Sequence, residues 1–229
     1  MKKLKFNILK KILGFKTSEQ SFAFLILILI TFILIEPIVK DLGFLANIIT
    51  SIVISFVPFA IIRAAGKNKK ERRRAFMIGI IFLILVWLNV LVEAHFMRIL
   101  FSLYLIVFYV YPLRIIVRHL LTSRKITLNT IYAAIAGYLL IGLAWASIYT
   151  AINILKPGSF LNIEGVNDSI YYSFLTLTTL GYGDIVPLTA LAKRVAVLES
   201  MVGVLYNAIV IAFIVGIYIS ERLAKKESE

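Results

Sequence analysis

Two threonines, two glycines, a tyrosine and an aspartate stand together between long apolar runs in the last third of the sequence. In order, the stretch is Thr178, Thr179, Leu180, Gly181, Tyr182, Gly183 and Asp184. Glycine adopts φ values that other residues avoid, so alternate carbonyls along an extended strand can face one axis. The Thr179 hydroxyl continues the row of neutral oxygens, which can replace the hydration shell of a monovalent cation. The stretch therefore predicts a strand that coordinates a dehydrated cation.

This stretch resembles the potassium-channel selectivity filter, whose signature is TVGYG, and differs from it only by Leu180 in place of valine. At that position the carbonyl faces inward and the side chain faces outward. The resemblance implies K+ coordination by Thr179, Leu180, Gly181 and Tyr182, with Gly183 completing the filter. It also implies a homotetramer, because each chain has one such segment and a ring of carbonyls around the ion needs four.

The composition is that of an integral membrane protein. Of the 229 residues, 61% are apolar and 16% are charged, and the mean hydropathy is +0.94. A net charge of +13 would suggest nucleic acid in a soluble chain, but here the basic residues lie in blocks between apolar runs, where topology explains them. We therefore expect no nucleic-acid partner. The chain has no cysteine, and His95 and His119 are far apart in sequence, so we expect no metal centre.

Four apolar runs are each near the ~20 residues that cross a bilayer. Two more flank the filter stretch, and the second of these is long enough to protrude into the cytoplasm, which makes six. They cover residues 21–39, 42–62, 75–92, 97–117, 131–155 and 190–220. Basic residues concentrate in cytoplasmic loops. Twenty of the 25 lie in residues 1–20, 63–74, 114–125 and 221–229. The sequence therefore predicts an all-α membrane protein with six transmembrane helices, cytoplasmic termini and an outward-facing filter. We expect it in the plasma membrane of a prokaryote.

The expected domain order is similar to that of voltage-gated cation channels. It comprises a basic amphipathic segment (1–20), a four-helix sensor-like domain (21–118), a cytoplasmic linker (119–130), a pore domain (131–220) and a cytoplasmic tail (221–229). Steep voltage gating needs several charges per subunit inside the field, yet residues 99–113 of the fourth span carry none. We therefore expect no strong voltage sensing.

The gating stimulus is the least constrained property. The tail is too short for a ligand-binding domain, so we expect no built-in ligand control. The segment 1–20 either lies on anionic lipid or only fixes orientation, and anionic lipid is the first candidate for a regulator.

The resemblance extends over the pore domain. It implies an outer helix from about residue 131, a re-entrant pore helix at 169–178 capped by Asp168, a filter at 179–184 and an inner helix at 190–220. The implied filter-supporting residues are Asp184, Tyr171, Tyr172, Thr178 and Glu199.

Two of these residues need new partners. Many relatives carry a glutamate on the pore helix where this sequence has Leu175, so Asp184 requires another donor, and we predict Tyr171. Glu199 is ionisable within an apolar helix and must be paired. We expect it behind the filter, hydrogen-bonded to Thr176 or Thr178.

The inner helix carries the predicted gate. Gly203 lies at the position of the family's hinge glycine, and it serves either as a hinge or as a site of close packing against the pore helix. Asn207 is expected to line the cavity. Ile211 and Val215 are expected to form an apolar constriction that closes by dewetting.

The predicted function is a potassium-selective channel that passes K+ down its electrochemical gradient. The alternatives are a non-conducting or auxiliary membrane subunit and a weakly selective cation channel. The sequence offers no paired catalytic carboxylates, phosphate loop or activated nucleophile, so we expect no enzyme activity. We expect no small-molecule substrate and no cofactor apart from permeant K+, with membrane lipids as partners.

Overall fold

The computed structural model of the protein describes residues 21–39, 42–65, 68–92, 94–123 and 125–226. The described helices are α1 Ser21–Val39, α2 Phe44–Ile54, α3 Val57–Ala64, α4 Lys69–Leu91, α5 His95–Thr122, α6 Leu128–Leu155, α7 Val166–Leu177 and α8 Ala190–Lys226. The described strands are β1 Phe160–Leu161 and β2 Val186–Pro187, which pair antiparallel on either side of α7 and the filter segment. The predicted all-α class agrees with this architecture. The amphipathic segment predicted at 1–20 lies outside the described residues.

Five stretches of the described chain are long and apolar enough to cross a membrane. They are Leu45–Ala64, Lys69–Leu91, His95–Thr122, Leu128–Leu155 and Ala190–Ile219. The apolar part of α1, Phe22–Ile35, is shorter than these. The chain is thus a multi-pass membrane protein, and the count of six spans stays a prediction.

The second apolar run is one span built from two helices. Pro58 stands at the start of α3 and has no N–H to bond the Ile54 carbonyl, so the helix cannot continue unbroken. At the break, the Ser55 hydroxyl donates to the Ser51 carbonyl at 2.6 Å. A Cβ on Gly79 would lie 2.8 Å from Pro58 Cβ, so glycine there lets α4 pack directly on the break.

Helix α6 is the centre of the described fold and packs against α1, α5, α7 and α8. Its buried face is rich in small residues, which let neighbouring backbones approach closely in a membrane. These residues are Ala133, Ala134, Ala136, Gly137, Gly142, Ala144 and Ala146. Helices α4 and α5 meet through stacked rings of Phe82 and Phe108, whose centroids lie 3.9 Å apart.

Four helix boundaries around the predicted pore domain differ from the sequence prediction. Helix α7, which corresponds to the predicted pore helix, begins at Val166 instead of 169, and Asp168 is not its N-cap. Its carboxylate accepts hydrogen bonds from the N–H groups of Glu164 (2.8 Å) and Gly165 (3.0 Å), because a carboxylate in the first turn can reach back to free donors upstream. Helix α5 extends to Thr122 and α6 begins at Leu128, so the predicted linker is largely helical. Helix α8 continues beyond 220 into the predicted tail.

Candidate ion-conducting site

The filter segment, residues 178–184, follows α7 directly and has an alternating backbone conformation. Thr179, Gly181 and Gly183 have φ values of 59°, 51° and 80°. A Cβ on either glycine would meet no heavy atom within 4 Å, so the backbone conformation, and not space, requires glycine. Thr179 is β-branched and holds a φ that such residues rarely adopt, which is typical of functional backbone.

The carboxyl end of α7 fixes the start of this segment. The N–H groups of Leu180 and Gly181 both donate to the Leu175 carbonyl, at 2.9 and 3.3 Å. The side chains of Leu180 and Tyr182 are 55% and 69% exposed. The single chain therefore presents one side of the filter segment as an open surface.

Asp184 anchors the other end of the filter segment. The Tyr171 hydroxyl donates to Asp184 Oδ2 at 2.7 Å, which confirms the predicted pair, and this hydrogen bond raises the pKa of Tyr171. The Asn162 side-chain amide donates to the Asp184 carbonyl at 2.8 Å. Asn162 was not predicted from the sequence, although its φ of 63° is one that asparagine tolerates better than most residues.

Aromatic rings pack behind the filter segment. Tyr172 is 6% exposed and meets the rings of Tyr149 and Phe160 edge-on, with centroids 4.9 and 5.5 Å away. Edge-to-face contacts of this kind add stability beyond buried area. Phe174 packs on α6, where a Cβ on Gly142 would lie 2.7 Å from its ring. Helix α7 is thereby fixed against α6.

Glu199 lies behind the filter, but its partners differ from those predicted. The side chain is fully buried. Its carboxyl group accepts from the Tyr149 hydroxyl of α6 and is hydrogen-bonded to the Ser173 hydroxyl of α7. It does not bond Thr178, whose hydroxyl donates instead to the Phe174 carbonyl at 2.7 Å. The helical face of Glu199 was predictable, whereas its exact contacts depend on how α6, α7 and α8 cross.

A proton count at Ser173 constrains this network. Ser173 Oγ lies 2.7 Å from the Gly142 carbonyl and 2.5 Å from Glu199 Oε1. A serine hydroxyl has one proton and can donate to only one of them. Every group is satisfied if Ser173 donates to Gly142 and a protonated Glu199 donates to Ser173, while Tyr149 donates to Glu199. The geometry therefore favours a neutral Glu199.

Gly203 packs tightly against the end of α7. A Cβ there would lie 2.1 Å from the Leu177 carbonyl oxygen and 3.0 Å from its carbon. The Tyr138 hydroxyl donates to the same carbonyl at 3.3 Å. Of the two roles that the sequence left open, close packing accounts for the glycine on geometry alone.

The predicted gate residues lie on a face of α8 that the described chain leaves exposed. Ile211 and Val215 are 63% and 48% exposed. Asn207 is also exposed, and its side chain interacts with the Tyr138 hydroxyl. The described chain thus leaves this apolar face of α8 without a covering element of its own.

Comparison with known proteins gives a match over this same region. Residues 136–220 match the family model described as "Ion channel". The chain is also similar to Protein LctB of Bacillus caldotenax, with 24% identity over 98 residues, which cover 39% of this chain and 72% of that protein. No solved structure matches the chain. The matched domain supports an ion channel family and a passive channel function, and it suggests that the protein is not an enzyme.

Proposed function

We propose that this protein is a potassium-selective channel that passes K+ passively through a central pore. The observation that carries the proposal is the alternation of positive φ at Thr179, Gly181 and Gly183. In such a strand, backbone carbonyls can face one side as ligands for a dehydrated cation, with the Thr179 hydroxyl as a further ligand. The filter contacts of Tyr171 and Asn162 with Asp184 support this strand from outside the pore.

The pore is a homotetramer in this proposal. One chain supplies one filter segment, and four are needed to surround an ion. Helix α8 also exposes large apolar side chains around most of its circumference. These include Val197, Leu198, Met201, Val204, Leu205, Ile209, Ile211 and Val215, each at least 48% exposed. Neighbouring copies and the cavity would cover these faces, and native mass spectrometry should then give a particle of about 104 kDa, four times 25.9 kDa.

The membrane arrangement follows from charge. The four basic segments, residues 1–20, 63–74, 114–125 and 221–229, support the proposed orientation with both termini in the cytoplasm and the filter segment outside. The proposal also includes six spans and a prokaryotic plasma membrane. Between Arg98 and Arg114, helix α5 carries no charged residue, which supports weak voltage dependence. Anionic lipid acting on residues 1–20 is the proposed regulator, and deletion of residues 1–16 should abolish any dependence of flux on anionic lipid.

The two alternatives find less support. A non-conducting subunit has no need for glycine at both Gly181 and Gly183, where φ is positive. Weakly selective relatives commonly replace the filter tyrosine, and Tyr182 is present. A potassium-selective channel therefore accounts best for the intact filter segment.

Ion flux into liposomes containing the purified protein tests the proposal. We expect uptake in K+ and Rb+ gradients and little in a Na+ gradient. No flux in any gradient would favour a non-conducting subunit, and comparable Na+ flux would favour a weakly selective channel. Gly181→Ala should abolish flux because its φ is 51°, whereas Gly165→Ala is the matched control, since its Cβ also has open space but its φ is ordinary.

A further inference from the structure

A cavity of about 540 Å³ lies between helices α1, α2, α4 and α5 on one side and α6 and α7 on the other. It is at the end of the helices nearest the filter segment, since Thr150 near the end of α6 and Val166 at the start of α7 line it. We call it the interdomain cavity. None of the residues assigned to the ion pathway lines it.

Two buried polar atoms in its wall have no hydrogen-bond partner within the described residues. They are Thr50 Oγ1 on α2 and Asn89 Oδ1 on α4. The side chain of Tyr109 on α5 also lines the cavity and is 2% exposed. Buried polar groups are nearly always paired in native proteins, so two such atoms around one cavity indicate an occupant.

Three further hydroxyls in the wall present acceptors only. Ser102, Ser147 and Thr150 donate their protons to carbonyls one turn earlier in their own helices, at 2.9, 2.8 and 2.9 Å. Their oxygen lone pairs remain available to the cavity. Together with Asn89 Oδ1, they call for an occupant that donates hydrogen bonds.

Water alone fits the rest of the wall poorly. At about 30 Å³ per molecule the cavity has room for on the order of 18 waters, which is far more than the few polar groups can hold. Much of the lining is apolar, and includes Phe32, Ile54, Leu105, Leu143 and Ile170. An apolar body would bury this surface favourably.

Charge narrows the class of ligand. Arg98 is the one charged side chain among the described lining residues, and it is exposed. Among the described lining residues, an anionic group deep in the cavity would meet no cation, and a cationic group would meet no carboxylate. We propose that the interdomain cavity binds an uncharged amphiphile whose hydroxyl bonds Asn89, Thr50 or Tyr109, that is, an alcohol or a phenol.

Photolabelling of the purified full-length protein with a diazirine-bearing octanol tests this site. We expect labelled peptides from α2, α4 or α5 at the cavity, and excess unlabelled octanol should reduce labelling there at least tenfold. Tyr109→Phe and Asn89→Leu each remove one hydrogen bond and should weaken octanol competition about five- to tenfold. Tyr109→Phe keeps the ring, so it is the variant least open to misfolding.

Two further variants separate the site from general partitioning into detergent or lipid. Ala146→Phe places a ring in the cavity, where Ala146 is 3% exposed, and should abolish labelling. Leu103→Phe on α5 changes a 46% exposed side chain outside the cavity and should leave labelling unchanged. Labelling that maps elsewhere, that does not saturate, or that is equal in wild type and Tyr109→Phe would overturn the proposal, leaving water as the occupant.

Discussion

Replacing Glu199 by glutamine is predicted to leave the free energy of unfolding nearly unchanged. A glutamine carbonyl can accept from the Tyr149 hydroxyl, and its NH₂ can donate to Ser173 Oγ, which continues to donate to the Gly142 carbonyl. Glutamine therefore makes the same hydrogen bonds as a neutral Glu199. It does not make those of an ionised Glu199, because a carboxylate could not donate to Ser173.

Leucine at position 199 should behave differently from glutamine. It leaves the Tyr149 hydroxyl without an acceptor in a buried site, which costs about 1–3 kcal/mol. If Glu199 were ionised instead, glutamine would lose hydrogen bonds to a charged acceptor, each worth about 1.5–3 kcal/mol. The two protonation states therefore predict different results for glutamine: a free energy of unfolding like that of wild type if Glu199 is neutral, and a lower one if Glu199 is ionised.

Unfolding of the purified protein in increasing dodecyl sulfate measures these differences, with tryptophan fluorescence as the probe, since Trp145 packs against the cluster that contains Tyr149. We expect glutamine to match wild type and leucine to unfold at lower detergent. Infrared spectra should show a protonated-carboxyl band that Glu199→Gln removes. The reasoning fails if glutamine is as damaging as leucine, or if that band is the same in both proteins.

Three further outcomes follow from the filter segment and α8. Gly203→Ala should destabilise the protein by about 1–3 kcal/mol by overpacking against the Leu177 carbonyl, whereas Gly216→Ala, with open space around it, should be neutral or gain up to ~1 kcal/mol of helix propensity. Thermal unfolding of both variants checks this, and equal midpoints would contradict it. Tyr171→Phe should shorten the time for which K+ flux persists in liposomes, because Asp184 loses its 2.7 Å hydrogen bond; unchanged flux decay would contradict that role. Since this bond raises the pKa of Tyr171 above 10.0, its stabilisation is complete below pH 10 and is lost as pH rises through the raised pKa, a step in flux that Tyr171→Phe should lack.

The sequence predicted the parts of the site that depend on local chemistry. The glycines of the filter segment mark positive φ directly, since few other residues tolerate it. The apolar runs predict most helices because each must be long enough to cross lipid. The pair of Tyr171 and Asp184 was found by asking which donor could replace an absent glutamate.

The contacts that were missed depend on how helices cross. Glu199 lies on the predicted side of α8, but Tyr149 comes fifty residues earlier, and nothing in the spacing relates the two. Asp168 was predicted as a cap, and the sequence could not show that α7 begins before it. The interdomain cavity is likewise a product of packing, because its polar groups come from several helices.

The reversal potential of single channels in a planar bilayer tests the central claim most directly. K+ and Na+ gradients are set in opposite directions across the membrane. A potassium-selective filter then predicts a reversal potential that changes by about 59 mV for each tenfold change in the K+ gradient. A potential that follows neither ion, or currents that persist unchanged in Gly181→Ala, would contradict the assignment of residues 178–184 as the selectivity filter.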